Sequence, residues 1–227
     1  MPTRQTSAIP VANRVHGFSY AIRNIVAEAK KVEAAGTRVR YLNIGDPILF
    51  DFKTPQHLLD AVERAMREGL NGYTTSPGIE PARQAVADDF SARGLSIPAN
   101  RVLLTMGTSE GIELALTALV DAGQEVLVPV PTYPLYTAVL AKLGANATYY
   151  RTDPNNNWMP DLDHIRSLIG PKTRALVMIS PNNPTGAVYS DETRREMLAL
   201  ASRHGLLLLA DEVYADLAYD GPVSPIG

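Results

Sequence analysis

The sequence predicts an α/β protein whose helices cover both faces of a largely parallel sheet, with an N-terminal arm and helix ahead of it. Two observations carry this. Beyond about residue 100, short apolar runs alternate with helical stretches over brief linkers, and parallel neighbours require crossovers of that kind. The runs themselves, such as Ala175–Ser180 and Leu206–Asp211, are nearly all apolar, as in strands buried on both faces. A hydrophobic content of 45% with 20% charged residues fits a globular chain of this class.

Taken in order, Ala21–Ala35 reads as an amphipathic helix carrying Ile22, Ile25, Val26, Ala29 and Val32 on one face, with Gly36 as its stop. Tyr41–Ile44 reads as a short strand broken by Gly45-Asp46-Pro47. A helix over Pro55–Glu68 follows, with Thr54 as N-cap and Pro55 at its first position. Gly69, Gly72, Pro77 and Gly78 mark a loop before a helix around Ala82–Arg93. The alternating part then begins with a strand at Val102–Met106, Gly107, and a helix ending near Gly123. It continues with strand Glu125–Pro129, helix Tyr133–Leu143 closed by Gly144, a strand near Ala147–Tyr150, and helix Leu162–Ile169. Strand Ala175–Ser180, helix Asp191–His204 and strand Leu206–Asp211 complete it.

Composition excludes several functions. A net charge of -3 exerts no long-range pull on nucleic acid or an anionic membrane. The absence of cysteine rules out disulfides, thiolate nucleophiles and thiolate-bound zinc. The N-terminus lacks the apolar core of a signal peptide, and the longest aliphatic run, Leu206–Ala210, is too short to span a bilayer. Asn146-Ala147-Thr148 matches a glycosylation pattern that a chain without a secretion signal does not use. A cytoplasmic location is the expectation.

In an open parallel sheet, ligands bind outside the carboxyl ends of the strands. Three such ends carry polar residues: Gly107-Thr108-Ser109-Glu110-Gly111, Ser180-Pro-Asn-Asn-Pro-Thr-Gly186 and Asp211-Glu-Val-Tyr214. Gly107-x-Ser109-x-Gly111 fits the nucleophile elbow of α/β-hydrolases, which requires an acid and then a histidine downstream. No histidine follows Asp211, no His-Gly-Gly segment lies upstream, and His204 falls in a helix. Anion binding is the better use: Gly107 allows a tight turn, and the amides of Thr108 and Ser109 lie free at a helix N-terminus beside two hydroxyls. A plain capping turn explains the same residues without a ligand. Asp211, at the end of a buried apolar run, requires a partner such as a cationic ring nitrogen, or else it caps the next turn. Asn182 and Asn183 also fit ordinary turn positions before Pro184.

Together, Ser180-Pro-Asn-Asn-Pro-Thr-Gly-Ala-Val-Tyr189 and, one helix and one strand later, Asp211-Glu-Val-Tyr214 resemble the class I/II aminotransferases of the fold-type I pyridoxal-phosphate family. Leu42-Asn-Ile-Gly-Asp-Pro47, Gly72-Tyr73 and Val130-Pro-Thr-Tyr133-Pro fall in that family's order, and the resemblance covers nearly all of the chain after residue 15. Within the family, Tyr41–Phe52 and Asp161-Leu-Asp163 look most like bacterial alanine-type enzymes. The resemblance implies pyridoxal 5'-phosphate as cofactor and an amino acid and a 2-oxo acid as substrates. Asp211 is then expected to hold the ring nitrogen protonated, so that the ring accepts electrons from the substrate. Asn183 and Tyr214 are expected on the ring's phenolic oxygen, Tyr133 on its face, and Gly107, Thr108 and Ser109 on its phosphate. Tyr73 is expected to reach the phosphate of a neighbouring subunit in a homodimer, and Gly45 to offer its amide to the substrate carboxylate. Tyr133 and Tyr73 as half-buried surface aromatics, and Gly45 as a simple turn, are the plain alternatives.

The resemblance also implies a Schiff-base lysine beyond the Asp-x-x-Tyr segment. Only thirteen residues, Ala215 to Gly227, follow Tyr214, and none is lysine. Lys30, Lys31, Lys53, Lys142 and Lys172 fall in the wrong places. The chain is therefore expected to hold an N-terminal arm and part of the small domain in residues 1–50 and an incomplete large domain in 51–227, to be inactive by itself, and to expose unpaired strand edges. The competing readings are a non-catalytic cofactor- or subunit-binding pseudoenzyme and a carbon–sulfur lyase on the same scaffold.

Overall fold

A computed structural model describes Ala12, residues 21–42 and residues 45–226. Two compact units divide the described chain, one within residues 21–82 and one within residues 83–226.

In the smaller unit, α1 (Ala21–Ala34) ends where Gly36 takes a φ of +92°, as expected of that glycine. The expected strand at Tyr41–Ile44 is not formed at Tyr41 and Leu42, and its other half lies outside the described residues. Asp46 instead caps a single 3₁₀ turn, Pro47–Phe50, by accepting the Ile48 amide at 3.0 Å. Helix α2 (Gln56–Arg67) starts one residue later than the sequence suggests. Pro55, with an extended ψ of 138°, occupies the N-cap, so Thr54 does not cap and no side chain replaces it. Exposed i,i+4 contacts, Gln56 to Asp60 and Arg67 to Glu63, support this helix.

The larger unit begins within α3 (Glu80–Ala92) and continues with α4 (Gly107–Leu119), β1 (Glu125–Val130), α5 (Pro134–Leu143), β2 (Asn146–Asp153), β3 (Met159–Pro160), α6 (Leu162–Leu168), β4 (Thr173–Ile179), α7 (Asp191–Arg203) and β5 (Leu207–Asp211). The strands form one sheet in the order β3-β2-β1-β4-β5. All pairings are parallel except the two-residue ladder of β3 with β2. Alternation along the strands sorts the interior into two clusters. Val126, Val128, Ala175, Val177 and Ile179 pack with Ile112 and Leu116 of α4 and with Tyr136, Val139 and Leu140 of α5. Leu127, Leu176 and Met178 pack with Ile165 of α6 and with Met197 and Leu200 of α7. Helices therefore sandwich a mostly parallel sheet, the architecture the sequence predicts.

One expected strand is absent. Val102–Met106 is extended at its start, with φ −93° and ψ 129° at Val102, yet no described strand pairs with it. Apolar extended backbone becomes a strand only when a neighbour accepts its amides. Leu103 and Met106 remain 52% and 89% exposed, which fits a segment with no sheet to join.

Candidate functional site

The chain runs outward from β1 through β2 to β3, then crosses back to β4 and β5, so its winding reverses between β1 and β4. Parallel pairing brings the carboxyl ends of β1, β4 and β5 to one rim, and the register sets Ile179 beside Asp211. A crevice outside such a reversal is where α/β sheets bind ligands. Here a cavity of about 230 Å³ opens at that place, lined by Thr108, Ser109, Ile112, Tyr133, Ile179, Asn183, Asp211, Val213 and Tyr214.

Each wall is built locally. Gly107 enters α4 with a φ of +75°, and a Cβ there would meet nothing within 4 Å, so glycine is required for its backbone angle and not for space. The turn leaves the first amides of α4 without intrahelical acceptors. Among the described residues, neither the Thr108 nor the Ser109 hydroxyl is hydrogen-bonded. Thr105 Oγ1 donates to the Gly107 carbonyl at 2.9 Å, and Glu110 accepts the Met106 amide at 2.5 Å, holding the helix start. After β1, Tyr133 stands at the N-cap of α5 and packs against the first core cluster. After β4, Asn182 rather than Asn183 does the structural work of the turn. Its side-chain oxygen accepts from the Thr185 amide and hydroxyl at 3.2 and 2.9 Å, which leaves Asn183 on the cavity wall.

Asp211 ends β5 at 8% exposure. Its Oδ2 accepts the Tyr136 hydroxyl at 2.8 Å, and its Oδ1 accepts the Val213 amide at 3.3 Å. The main chain is fixed as well, since the Asp211 carbonyl accepts the Ser180 amide at 3.0 Å. Burial pushes the Tyr136 phenol far up, and the Asp211 charge pushes the same way, so this hydroxyl remains a proton donor to the carboxylate. Sequence reasoning missed Tyr136 although a signal was present: one helical turn beyond Tyr133, it lies on the same side of α5. It also missed the apolar wall of Ile112, Ile179 and Val213. Ile112 was readable as the residue one turn after Ser109.

Of the residues singled out from the sequence, Thr108, Ser109, Tyr133, Asn183, Asp211 and Tyr214 meet at this one cavity. Gly107 sets the turn beside it without lining it. Tyr73 and Gly45 belong to the smaller unit, where Tyr73 is fully exposed and Gly45 has open space around it. Among the described residues the hydrolase arrangement is not assembled: no histidine lines the cavity with Ser109, and His164 Nδ1 instead accepts the Arg151 amide at 3.0 Å. No described group of acidic and histidine side chains is arranged to hold a metal, and no described helix is long and apolar enough to cross a membrane.

Comparison with known proteins agrees with this geometry. The chain is 40% identical over 216 residues to the glutamate-pyruvate aminotransferase AlaA of Escherichia coli, spanning 94% of this chain and 53% of that protein. It is 42% identical over 204 residues to an alanine aminotransferase of Mycobacterium bovis, spanning 88% of this chain and 47% of that one. An alanine aminotransferase from Pyrococcus furiosus superposes with a TM-score of 0.91 at 37% identity, over 95% of this chain and 55% of its own. The chain thus spans about half the length of the relatives it matches. Residues 37–226 match the model of the aminotransferase class I and II family, and the chain belongs to that family.

Proposed function

We propose that this protein contributes the cofactor-binding half of a pyridoxal-5'-phosphate-dependent aminotransferase of the alanine type. The reaction moves an amino group between an amino acid, alanine among them, and a 2-oxo acid. The observation that carries this reading is the meeting of Asp211, Asn183, Tyr214, Tyr133 and the first turn of α4 around one cavity at the sheet's reversal.

The residues present fit the cofactor. A buried carboxylate at the back of the cavity suits a protonated ring nitrogen. Unused amides and hydroxyls at the start of α4 suit a phosphate. Apolar walls from Ile112, Ile179 and Val213 suit a flat ring. When bound, pyridoxal phosphate supplies the electron sink that makes the substrate's α-proton removable. Asp211 would face the ring nitrogen, and the Tyr136 hydroxyl holds Oδ2 in place. Asn183 and Tyr214 donate to the phenolic oxygen. Tyr133 covers a ring face and excludes water, and Thr108 and Ser109 bind the phosphate. Gly45 is assigned to the substrate carboxylate and Tyr73 to a neighbouring subunit's phosphate, so the active form is a homodimer. We assign residues 1–50 to the arm and small domain, 51–227 to the large domain, and the protein to the cytoplasm.

Among the described residues no lysine lines the cavity, and Lys142 is paired with Glu113. None of these 227 residues is assigned the amine that carries the α-proton. A second reading is cofactor binding without chemistry. Titrating the full-length protein with pyridoxal phosphate, reducing it with borohydride and assaying alanine with 2-oxoglutarate decides among the readings. Saturable uptake and amino transfer support the proposal. Uptake without turnover supports the second reading, turnover of cystathionine instead of transfer supports a carbon–sulfur lyase, and no uptake overturns all three.

A further inference from the structure

Behind the Asp211 turn lies a buried guanidinium that none of the chemistry above uses. Arg194, in the second turn of α7, is 4% exposed. One Nη donates to the Ser224 carbonyl at 2.6 Å and stands 3.6 Å from Glu212 Oε1, while the other donates to the Asp191 carboxylate at 2.5 Å. The same Glu212 oxygen accepts the Ile226 amide at 3.2 Å. A charge removed from water is costly unless it meets opposite charge and acceptors, and here three separate pieces of chain supply them. Burial pushes the Glu212 carboxyl up, against the Ile226 amide and the charges of Arg194 and Arg93, which pull it down.

We propose that Arg194 and Glu212 form a buried clamp that fixes the Asp211–Tyr214 turn from the side away from the cavity. Arg194 is then a positioning residue for the groups that hold the cofactor. The inference rests on the function proposed above and deepens it. Asp211, Val213 and Tyr214 line the cavity but Glu212, between them, does not. Its side chain reaches Arg194 and the 224–226 segment instead. The Glu212 carbonyl accepts the Ala215 amide at 2.9 Å, so the turn's own backbone is tied to the residue the clamp holds. On the sheet side, the Ser180 amide holds the turn through the Asp211 carbonyl. Releasing Glu212 removes the turn's side-chain tie to Arg194 and the 224–226 segment and leaves Val213 and Tyr214 held only by local contacts such as the Val213 amide on Asp211 Oδ1, and small displacements of contact groups weaken binding disproportionately.

The test uses Glu212→Gln, Arg194→Leu, Arg194→Lys and Asp191→Asn in the full-length protein. The first readout is amide hydrogen exchange without cofactor, and the second is the pyridoxal phosphate dissociation constant with the pH profile of the bound absorption band. Glu212→Gln and Arg194→Leu are expected to speed exchange at Val213 and Ala215 by about tenfold or more while leaving Val126–Val128 unchanged. They are also expected to weaken cofactor binding about tenfold and to shift the band's titration midpoint. Arg194→Lys recovers part of each effect, and Asp191→Asn, which leaves the Arg194–Glu212 contact in place, changes neither. Exchange at Val213 and Ala215 that is unchanged, or that rises equally in β1, overturns the clamp. So do affinity and titration midpoint that stay at wild-type values. If the wild-type protein takes up no cofactor, the proposed function fails, and the exchange readout still decides whether the clamp exists.

Discussion

Asp211 has two carboxylate oxygens, and the chain gives each a donor of its own, Tyr136 for Oδ2 and the Val213 amide for Oδ1. Removing the carboxylate by Asp211→Ala deletes a charge-assisted contact of about 1.5–3 kcal/mol, so pyridoxal phosphate affinity is expected to fall roughly 10- to 100-fold in a spectroscopic titration. Undiminished affinity would place the ring nitrogen elsewhere. Tyr136→Phe leaves Oδ2 without its donor and is expected to lower stability by about 1–3 kcal/mol at neutral pH in urea unfolding. Its pH dependence has a definite sign. Burial pushes the phenols of Tyr136, Tyr150 and Tyr189 up, Tyr189 to about 12. The unfolded chain loses those protons near the usual tyrosine value of about 10 and the folded chain holds them longer. This contribution is therefore complete below about pH 10 and is lost as pH rises toward the folded values. Tyr136→Phe should remove about one proton from the alkaline slope, close to 1.4 kcal/mol per pH unit. Equal slopes for wild type and variant between pH 10 and 12 would contradict this assignment. Asp211 was legible in the sequence because an acid after a run of leucines demands a partner. Tyr136 was passed over despite its spacing from Tyr133, because a cationic ring already satisfied that demand and drew attention away from a second donor within the chain.

At the scale of the element, helices and strands were legible wherever a local signal ends them. Gly144 in left-handed conformation closes α5, Ser190 caps α7 by accepting the Thr193 amide at 3.1 Å, and Gly107 starts α4 with a positive φ. Val102–Met106 was misread for a different reason. Its apolar pattern is local, but a strand is a relation between two segments, and no ladder forms there. The two-residue strand Met159–Pro160 is too short to carry a period and was missed for that reason. Gly107→Ala forces a side chain into left-handed backbone, at about 1–2 kcal/mol. Because this turn aims the α4 amides, the variant is expected to lose affinity for pyridoxal phosphate more than for pyridoxal, which lacks the phosphate. Equal losses for the two would show that α4 does not hold the phosphate. Ser190→Ala removes the cap at the end of α7 that carries Arg194, and is expected to lower stability by about 1 kcal/mol.

For the whole molecule, the alternation of strand and helix was enough to predict which ends of the strands border the cavity, since parallel strands bring all their carboxyl ends to one rim. The unpaired strand edges expected from the sequence depend on every strand present. Among the described residues β5 is an edge: it pairs with β4 on one side, and its other side carries no ladder. Its run Leu207, Leu208 and Leu209 is only half-buried and Ala210 is exposed. No charge, proline or bulge interrupts the strand before Asp211, and these are the devices that keep an edge from pairing with a second chain. The 227-residue polypeptide, expressed as given, is therefore expected to self-associate through β5, with sedimentation velocity showing a mass that grows with concentration. Ala210→Lys places a charge on that edge at an exposed position and should return the polypeptide toward a monomer while the far-ultraviolet circular dichroism stays unchanged. A monodisperse monomer for the unaltered polypeptide would show that β5 is already covered. Association that persists undiminished in Ala210→Lys would move the contact to the exposed stripe of α2, where Leu58, Val62 and Met66 are 49%, 60% and 61% exposed.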